Sequence, residues 1–189
     1  LVEKGIVKKA IAADLRVGPL ENAKLAVDSY NYSDKIELRL SDGLDNFKAN
    51  EVEEIAVAGM GGLLISSFVE RIDWLKNSDI HLILQPMTHV EELRKTLFDN
   101  GFIIDNEVVA EDDDKLYIVL SAFYYGDSTA YTDLDLIVGR LPLNMDDLSK
   151  KYLAKIYNKY NKKLVALKNA NKECAELEKL VGELKQWQQ

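Results

Sequence analysis

EIAVAGMGGLLI, residues 54 to 65, decides how this chain is read: a short apolar run reaches Ala58, breaks into Gly59-Met60-Gly61-Gly62 and restarts as an apolar helix. The pattern is strand, tight turn, helix. In an open α/β sheet, the turn leaving the carboxyl end of a strand is where ligands bind, and glycines let backbone N–H groups come close to a ligand. The same turn also suits a protein that needs only small residues for packing. A dinucleotide fingerprint requires a third glycine three positions after the second, and Leu64 stands there, which weakens an NAD reading.

Upstream, LVEKG reads as the last turn of a helix with Gly5 as its stop, which suggests a fragment of a longer chain. IVKKAIAAD (6–14) is a strand ending on an acid, and Gly18-Pro19 opens a helix whose apolar face runs to Tyr30. KIELRL (35–40) alternates as a half-buried strand does and runs into Ser41-Asp42-Gly43-Leu44. Downstream, Leu64, Phe68, Ile72 and Leu75 recur at helical spacing from Gly62 to Lys76. IHLILQPM (80–87) is again a strand, and Thr88-His89-Val90-Glu91 reads as a capping box for a helix ending at Gly101. FIIDNEVVAEDDDKLYIVLSAFYY (102–125) predicts an antiparallel hairpin around Asp112-Asp113-Asp114.

Strands alternating with helices before a terminal hairpin imply an α/β fold, with a mostly parallel sheet and an antiparallel edge. The character changes after Gly139-Arg140-Leu141-Pro142, so the expected division is 1–141 and 142–189. Leu153, Ile156, Tyr160, Leu164 and Leu167, then Cys174, Leu177, Val181 and Leu184, recur at three-and-four spacing around Asn169-Ala170-Asn171. That predicts an antiparallel coiled-coil hairpin, with one long helix as the alternative.

Composition excludes several classes. No apolar run in the 189 residues approaches the roughly 20 needed to span a membrane, which points to the cytoplasm. One cysteine, Cys174, and two histidines, His81 and His89, make a metal site improbable. The formal charge of −8 is unevenly spread: residues 1–145 hold 14 Lys+Arg against 26 Asp+Glu, whereas residues 146–189 hold 10 Lys against 6 Asp+Glu. Between Lys150 and Lys172 lie eight lysines and no acid. A basic tail on an acidic body suits an anionic partner as well as it suits a solvated helix face.

Parallel strands present their carboxyl ends together, so Asp14, Asp42-Gly43, the Ala58–Gly62 turn and Gln85-Pro86-Met87 are expected on one sheet edge. Such acids accept hydrogen bonds from ribose hydroxyls or an adenine amino group, with Leu15 and Leu44 packing on the ring. Each acid alone could equally be a helix N-cap. As a set they point to a nucleoside-containing ligand.

ADLRVGPLENAK, SDGL, IAVAGMGGLLI, LILQPMTHVEELRK and EDDDKLY, in this order and followed by a helical tail, resemble the bacterial tRNA (adenine(22)-N1)-methyltransferases of the TrmK type. The resemblance covers nearly the whole chain, although the tail matches in character and lysine content only. It implies a Rossmann-like class I methyltransferase sheet using S-adenosylmethionine, with a C-terminal coiled coil that holds tRNA. Asp14 would be the ribose ligand, with Asp42 and Gly43 flanking the adenine. Ala58, Gly59 and Met60 would line the methionine moiety and the entrance for the target base, beside Gln85 and Pro86. Met87 replaces the family's usual Asn, and His89 falls where a cap or surface role is expected. The family's first strand and its glycine-bearing acidic loop should precede Leu1, so weak or no cofactor binding is expected of this chain alone.

Adenine N1 is a lone-pair nucleophile that needs no proton removed, so Gly59, Met60, Gln85 and Pro86 are expected to act by position and no general base is assigned. Lys150, Lys151, Lys155, Lys159, Lys162, Lys163 and Lys168 are the candidate phosphate contacts. Two other classes stay open: a scaffold that recruits a partner through its coiled coil, and an NAD- or nucleotide-binding enzyme. A monomer and a weak dimer are both compatible with the sequence.

Overall fold

The structure, a computed structural model, describes residues 1–187. The chain divides into two compact units, Leu1–Glu51 and a second that begins at Val52.

The first unit is a strand–helix–strand motif. Strand β1 (Ala10–Asp14) and strand β2 (Ile36–Leu40) pair in parallel from Ala10 opposite Ile36 to Asp14 opposite Leu40. Helix α1 (Val17–Ser29) connects them with Pro19 in its first turn, where a missing N–H costs nothing. No residue of α1 is fully buried, and Leu25, part of the expected apolar face, is 70% exposed. After β2 the chain turns back on Arg39. Its guanidinium donates to Glu37 and Glu51 and lies 4.7 Å from the Phe47 ring centre, and Glu51 is held down at about 2 by Arg39 and by the Lys48 backbone N–H.

The second unit is a mixed four-stranded sheet in the order β3-β4-β6-β5. Strands β3 (Glu54–Met60) and β4 (His81–Pro86) are parallel, joined by helix α2 (Gly62–Arg71). Helix α3 (Val90–Asp99) leads to β5 (Phe102–Asp112) and β6 (Lys115–Tyr124), and β6 runs antiparallel to both β4 and β5. Asp113 and Asp114 have φ of 47° and 60°, the two positive values of a type I′ turn, whose twist matches that of the flanking strands. The core is one face of this sheet under α2 and α3, with Ile55, Val57, Leu82 and Leu84 packed in a layer with Ile65, Phe68, Leu93 and Leu97. Each such side chain contributes about 1.5–3 kcal/mol when fully buried.

Parallel pairing within each unit and an antiparallel hairpin at the edge of the second unit's sheet are as expected. Three expectations change. The helix expected to reach Lys76 stops at Arg71, and Asp73–Leu75 is a 3-10 turn, which still buries Ile72 and Leu75. Thr88 does not cap α3: the N-cap is His89 in a left-handed conformation, because the Thr88 carbonyl accepts from Gly62 N–H and its hydroxyl faces His89 Nδ1. Strand β1 begins at Ala10 rather than Ile6.

After β6 come two short helices that the sequence reading did not foresee, α4 (Asp133–Val138), with a Thr132/Asp135 capping box, and α5 (Leu141–Asn144). They are held by a buried ion pair. Arg94 of α3 and Glu107 of β5 are 1% and 0% exposed and bond in a fork, at 2.8 Å from Nε and 3.0 Å from Nη2. The remaining Arg94 donor reaches the Leu136 and Ile137 carbonyls, and Glu107 also accepts from Arg140 N–H. A Cβ at Gly139 would collide with the Glu107 carboxylate, so close approach requires glycine there.

The tail is two helices. Helix α6 (Asp147–Asn169) starts on an Asp146 cap, whose side chain accepts from Ser149 N–H at 2.7 Å, and α7 (Ala175–Leu184) follows after a turn. Leu164, Val181 and Leu184 are buried where the two helices pack, and Lys168 bonds Glu178 across them at 2.6 Å. A ten-residue α7 is under two heptads, so this is a short helical hairpin rather than an extended coiled coil.

Arg94→Leu should lower the unfolding free energy of the second unit by about 3–5 kcal/mol, because it strands a buried carboxylate. Urea denaturation checks this. The double variant Arg94→Leu, Glu107→Leu should recover part of the loss, and a single variant within about 1 kcal/mol of the parent would contradict the assignment.

Candidate functional site

At the carboxyl ends of β3 and β4, the two turns singled out in the sequence are fastened together. Met87 N–H donates to the Met60 carbonyl and Gly62 N–H to the Thr88 carbonyl, both at 2.8 Å. Gly59 N–H donates to Gln85 Oε1 at 2.9 Å, while Gln85 Nε2 donates to the Pro86 carbonyl at 3.2 Å. The register slips between Ala58 and Met60, making a bulge at Gly59, whose φ is +78°. Strand β3 therefore runs through the bulge to Met60 instead of ending at Ala58.

The three glycines of this turn do different work. A Cβ at Gly59 would meet no atom within 4 Å, so that glycine provides backbone conformation beside open space. At Gly61 it would approach Thr88 Oγ1 to 3.3 Å. At Gly62 it would fall on the Thr88 and His89 carbonyl oxygens. Close packing therefore belongs to Gly62, and open space lies at Gly59. The sequence reading of Gln85 as a pocket wall missed that its amide holds the Gly59 N–H. An amide beside a glycine bulge across two parallel strands was the signal available for it.

In the first unit, Asp14 accepts from Arg16 N–H through Oδ1 at 2.8 Å, leaving its other carboxylate oxygen unengaged among the described residues. Ser41 N–H donates to the Asp14 carbonyl, which brings the Asp14 and Asp42 turns side by side. Asp42 is exposed, and its carboxylate has no partner among the described residues. Gly43 has φ +55°, Leu44 is buried, and Leu15 is 62% exposed. The structure thus brings the candidates together in two groups, one at the ends of β1 and β2 and one at the ends of β3 and β4.

The tail lysines also fall into two classes. Lys151 pairs with Glu111, Lys159 with Glu91 at 3.5 Å and Lys168 with Glu178. Lys155, Lys162 and Lys163 are exposed without an acidic partner among the described residues, and Lys150, also exposed, forms no ion pair there but acts electrostatically on Asp146. Glu91 also accepts from Tyr160 Oη at 3.1 Å, and burial, together with that carboxylate, pushes the phenol pKa upward. His89 is exposed at the start of α3. The other histidine, His81, lies with Nε2 2.9 Å from Ser121 Oγ, which also meets Asp105 Oδ1 at 2.8 Å.

A glycine bulge locked to the next strand end, on an α/β sheet with an antiparallel edge, defines a Rossmann-like ligand-binding protein. The chain belongs to the methyltransferase-domain family, whose signature matches residues 1–120. It is 35% identical over 132 residues to the tRNA (adenine(22)-N(1))-methyltransferase of Bacillus subtilis, a match covering 70% of this chain and 56% of that protein. The chain thus spans little more than half the length of that relative. Among solved structures it is similar to Streptococcus pneumoniae Sp1610, provisionally named a tRNA (m1A22) methyltransferase, with 29% identity and a TM-score of 0.83 over 100% of this chain and 86% of that one. The same protein solved with S-adenosyl-L-methionine gives 28% identity and 0.82, covering 100% and 85%. The B. subtilis m1A22 methyltransferase TrmK gives 27% identity and 0.78, covering 99% and 82%.

Gly62→Ala should destabilise the second unit more than Gly59→Ala. The first sets a methyl group against backbone oxygens, whereas the second costs only the left-handed strain of about 1–2 kcal/mol. Thermal unfolding of the two variants decides this, and the reverse order would mean that the turns are not fastened as described.

Proposed function

We propose that this chain is the greater part of an enzyme that transfers a methyl group from S-adenosylmethionine to N1 of an adenosine in tRNA. The observation that carries the reading is the locked Gly59 bulge with open space beside it, in a chain similar over its whole length to a methyltransferase solved with that cofactor. The acids fit the cofactor's nucleoside: the free oxygen of Asp14 suits the ribose hydroxyls, and the unpartnered Asp42 carboxylate, next to Gly43, suits the adenine amino group. Leu15 and Leu44 supply apolar contact. Ala58, Gly59 and Met60 face the methionine end and the incoming base, with Gln85 and Pro86 behind them.

The cofactor supplies an electrophilic methyl on sulfur: N1 donates its lone pair to the methyl carbon, and the carbon–sulfur pair stays with sulfur. No proton has to leave N1, so these residues work by alignment. Gln85 holds Gly59, Gly59 leaves room for the base, and Met60 and Met87 offer apolar surface to an adenine turned out of its pairing. Carbonyl dipoles at the turn stabilise the positive charge that develops on the base.

On this reading, residues up to Leu141 carry the methyl-transfer chemistry, and the helices from Pro142 onward hold tRNA. Phosphates are met first by Lys150, Lys155, Lys162 and Lys163, while Lys151, Lys159 and Lys168 would have to exchange a carboxylate for a phosphate.

Deleting the gene in the organism that encodes it should remove N1-methyladenosine from at least one tRNA, read by mass spectrometry of digested tRNA, and re-expression should restore it. An unchanged modification profile would overturn the proposal. Separately, Lys155→Gln, Lys162→Gln and Lys163→Gln combined should reduce the salt dependence of tRNA binding by a slope of roughly 2–3. The same change at Lys151 and Lys159 should reduce it by less, and equal slopes for the two sets would refute the division.

A further inference from the structure

On the opposite side of β4 from Gly59 and Met60, the start of β6 and the first turns of α6 enclose an open hollow of about 320 Å³. Its walls include Pro86 and Met87 from β4 and the residue after it, Lys115 and Tyr117 from β6, and Tyr152 and Lys155 from α6. Pro86 and Met87 are thus shared: one side belongs to the turn proposed for methyl transfer, the other to this hollow. Since β3 and β6 flank β4, the two places lie about two strand spacings apart, roughly 10 Å. The volume is at the small end of ligand pockets, which suits a single base with its sugar.

Its chemistry is selective. Lys115 and Lys155 have no acidic partner among the described residues, although residues 1–145 carry nearly twice as many acids as bases. No carboxylate lines the hollow. The neighbouring depression of about 500 Å³ shares Met87, Tyr152 and Lys155 but sets Glu91 and Glu92 against Arg94 and Lys159, so its basic groups have acids beside them. Two unpaired ammonium groups beside two phenol rings and a thioether match a nucleotide: phosphate to the lysines, base to the aromatic faces. Tyr152 is largely buried by its neighbours, and that burial raises its pKa, so it presents a neutral ring.

We propose that this hollow receives the nucleotide adjacent to the target adenosine, its base against Tyr117 and Tyr152 and its phosphate between Lys115 and Lys155. The inference rests on the reading of the chain as a tRNA adenosine methyltransferase. The Pro86–Met87 wall then separates the two bases, splaying the strand so that one enters the methyl-transfer turn and its neighbour enters the hollow.

The test uses the tRNA whose N1-methylation the deletion experiment identifies, as a transcript with the base on one or the other side of the target removed. For the unaltered protein, one of these abasic transcripts should bind on the order of tenfold more weakly than the intact one. Tyr117→Leu should lose a similar factor on intact RNA and nothing further on that abasic RNA. Lys155→Gln, an exposed change that does not threaten folding, should weaken all the RNAs alike and lower the salt slope by roughly one. Abasic transcripts that bind as tightly as the intact one, or losses from Tyr117→Leu and base removal that multiply, overturn this inference while leaving the methyltransferase reading intact. Failure of the unaltered protein to bind the intact tRNA overturns both.

Discussion

A buried charge is tolerated when it is paired and hydrogen-bonded, and the Arg94–Glu107 pair is held in this way across four segments of the chain. The guanidinium joins α3 to β5 and spends its third nitrogen on the last carbonyls of α4, while the carboxylate takes the Arg140 N–H. Arg140 in turn donates to the Ile104 carbonyl, and Asn144 to that of Glu107. The segment from Leu136 to Asn144 is therefore tied to β5 on both sides of Gly139, and α6 must start where it does. This tie acts together with the Lys151–Glu111 and Tyr160–Glu91 contacts to place α6 on the sheet. Apolar residues of the same volume could match its stability, so the pair is better understood as a device of registration.

Much of this was open to reading in advance. The strand–turn–helix at residues 54–65, the hairpin around Asp113 and the break between α6 and α7 follow from periodicity and turn chemistry, which are local. Glu107 was not legible, for a reason that can be named. Phe102 and Ile104 face the core, and alternation would place Glu107 on the opposite face, but a bulge between Ile104 and Asn106 shifts the parity so that Glu107 and Val109 point inward. Asp105 and Asn106, both exposed, mark the shift, and two adjacent polar residues in a strand are too common to announce a bulge. Thr88 misled in the opposite way. Its spacing to Glu91 satisfies a capping rule, but its carbonyl was already claimed by Gly62, a partner remote in sequence.

The candidate site shows how backbone hydrogen bonds convert a permissive motif into a rigid one. G-x-G-G alone specifies little more than flexibility. Here Gly62 lets two chain segments touch, and Gln85 consumes the N–H that Gly59 would otherwise expose, which fixes Gly59 beside open space.

The two-residue turn at Asp113 and Asp114 carries a consequence for how the sheet assembles. Closing a loop costs entropy that grows with the logarithm of its length, so joining β5 to β6 is the least expensive long pairing available to the second unit. Bringing β3 beside β4 instead requires closing roughly twenty intervening residues through α2. The antiparallel pair can thus form early and offer β6 as a template edge. β4 docks on that edge and β3 follows, which makes the Gly59 turn among the last parts of the sheet to be completed.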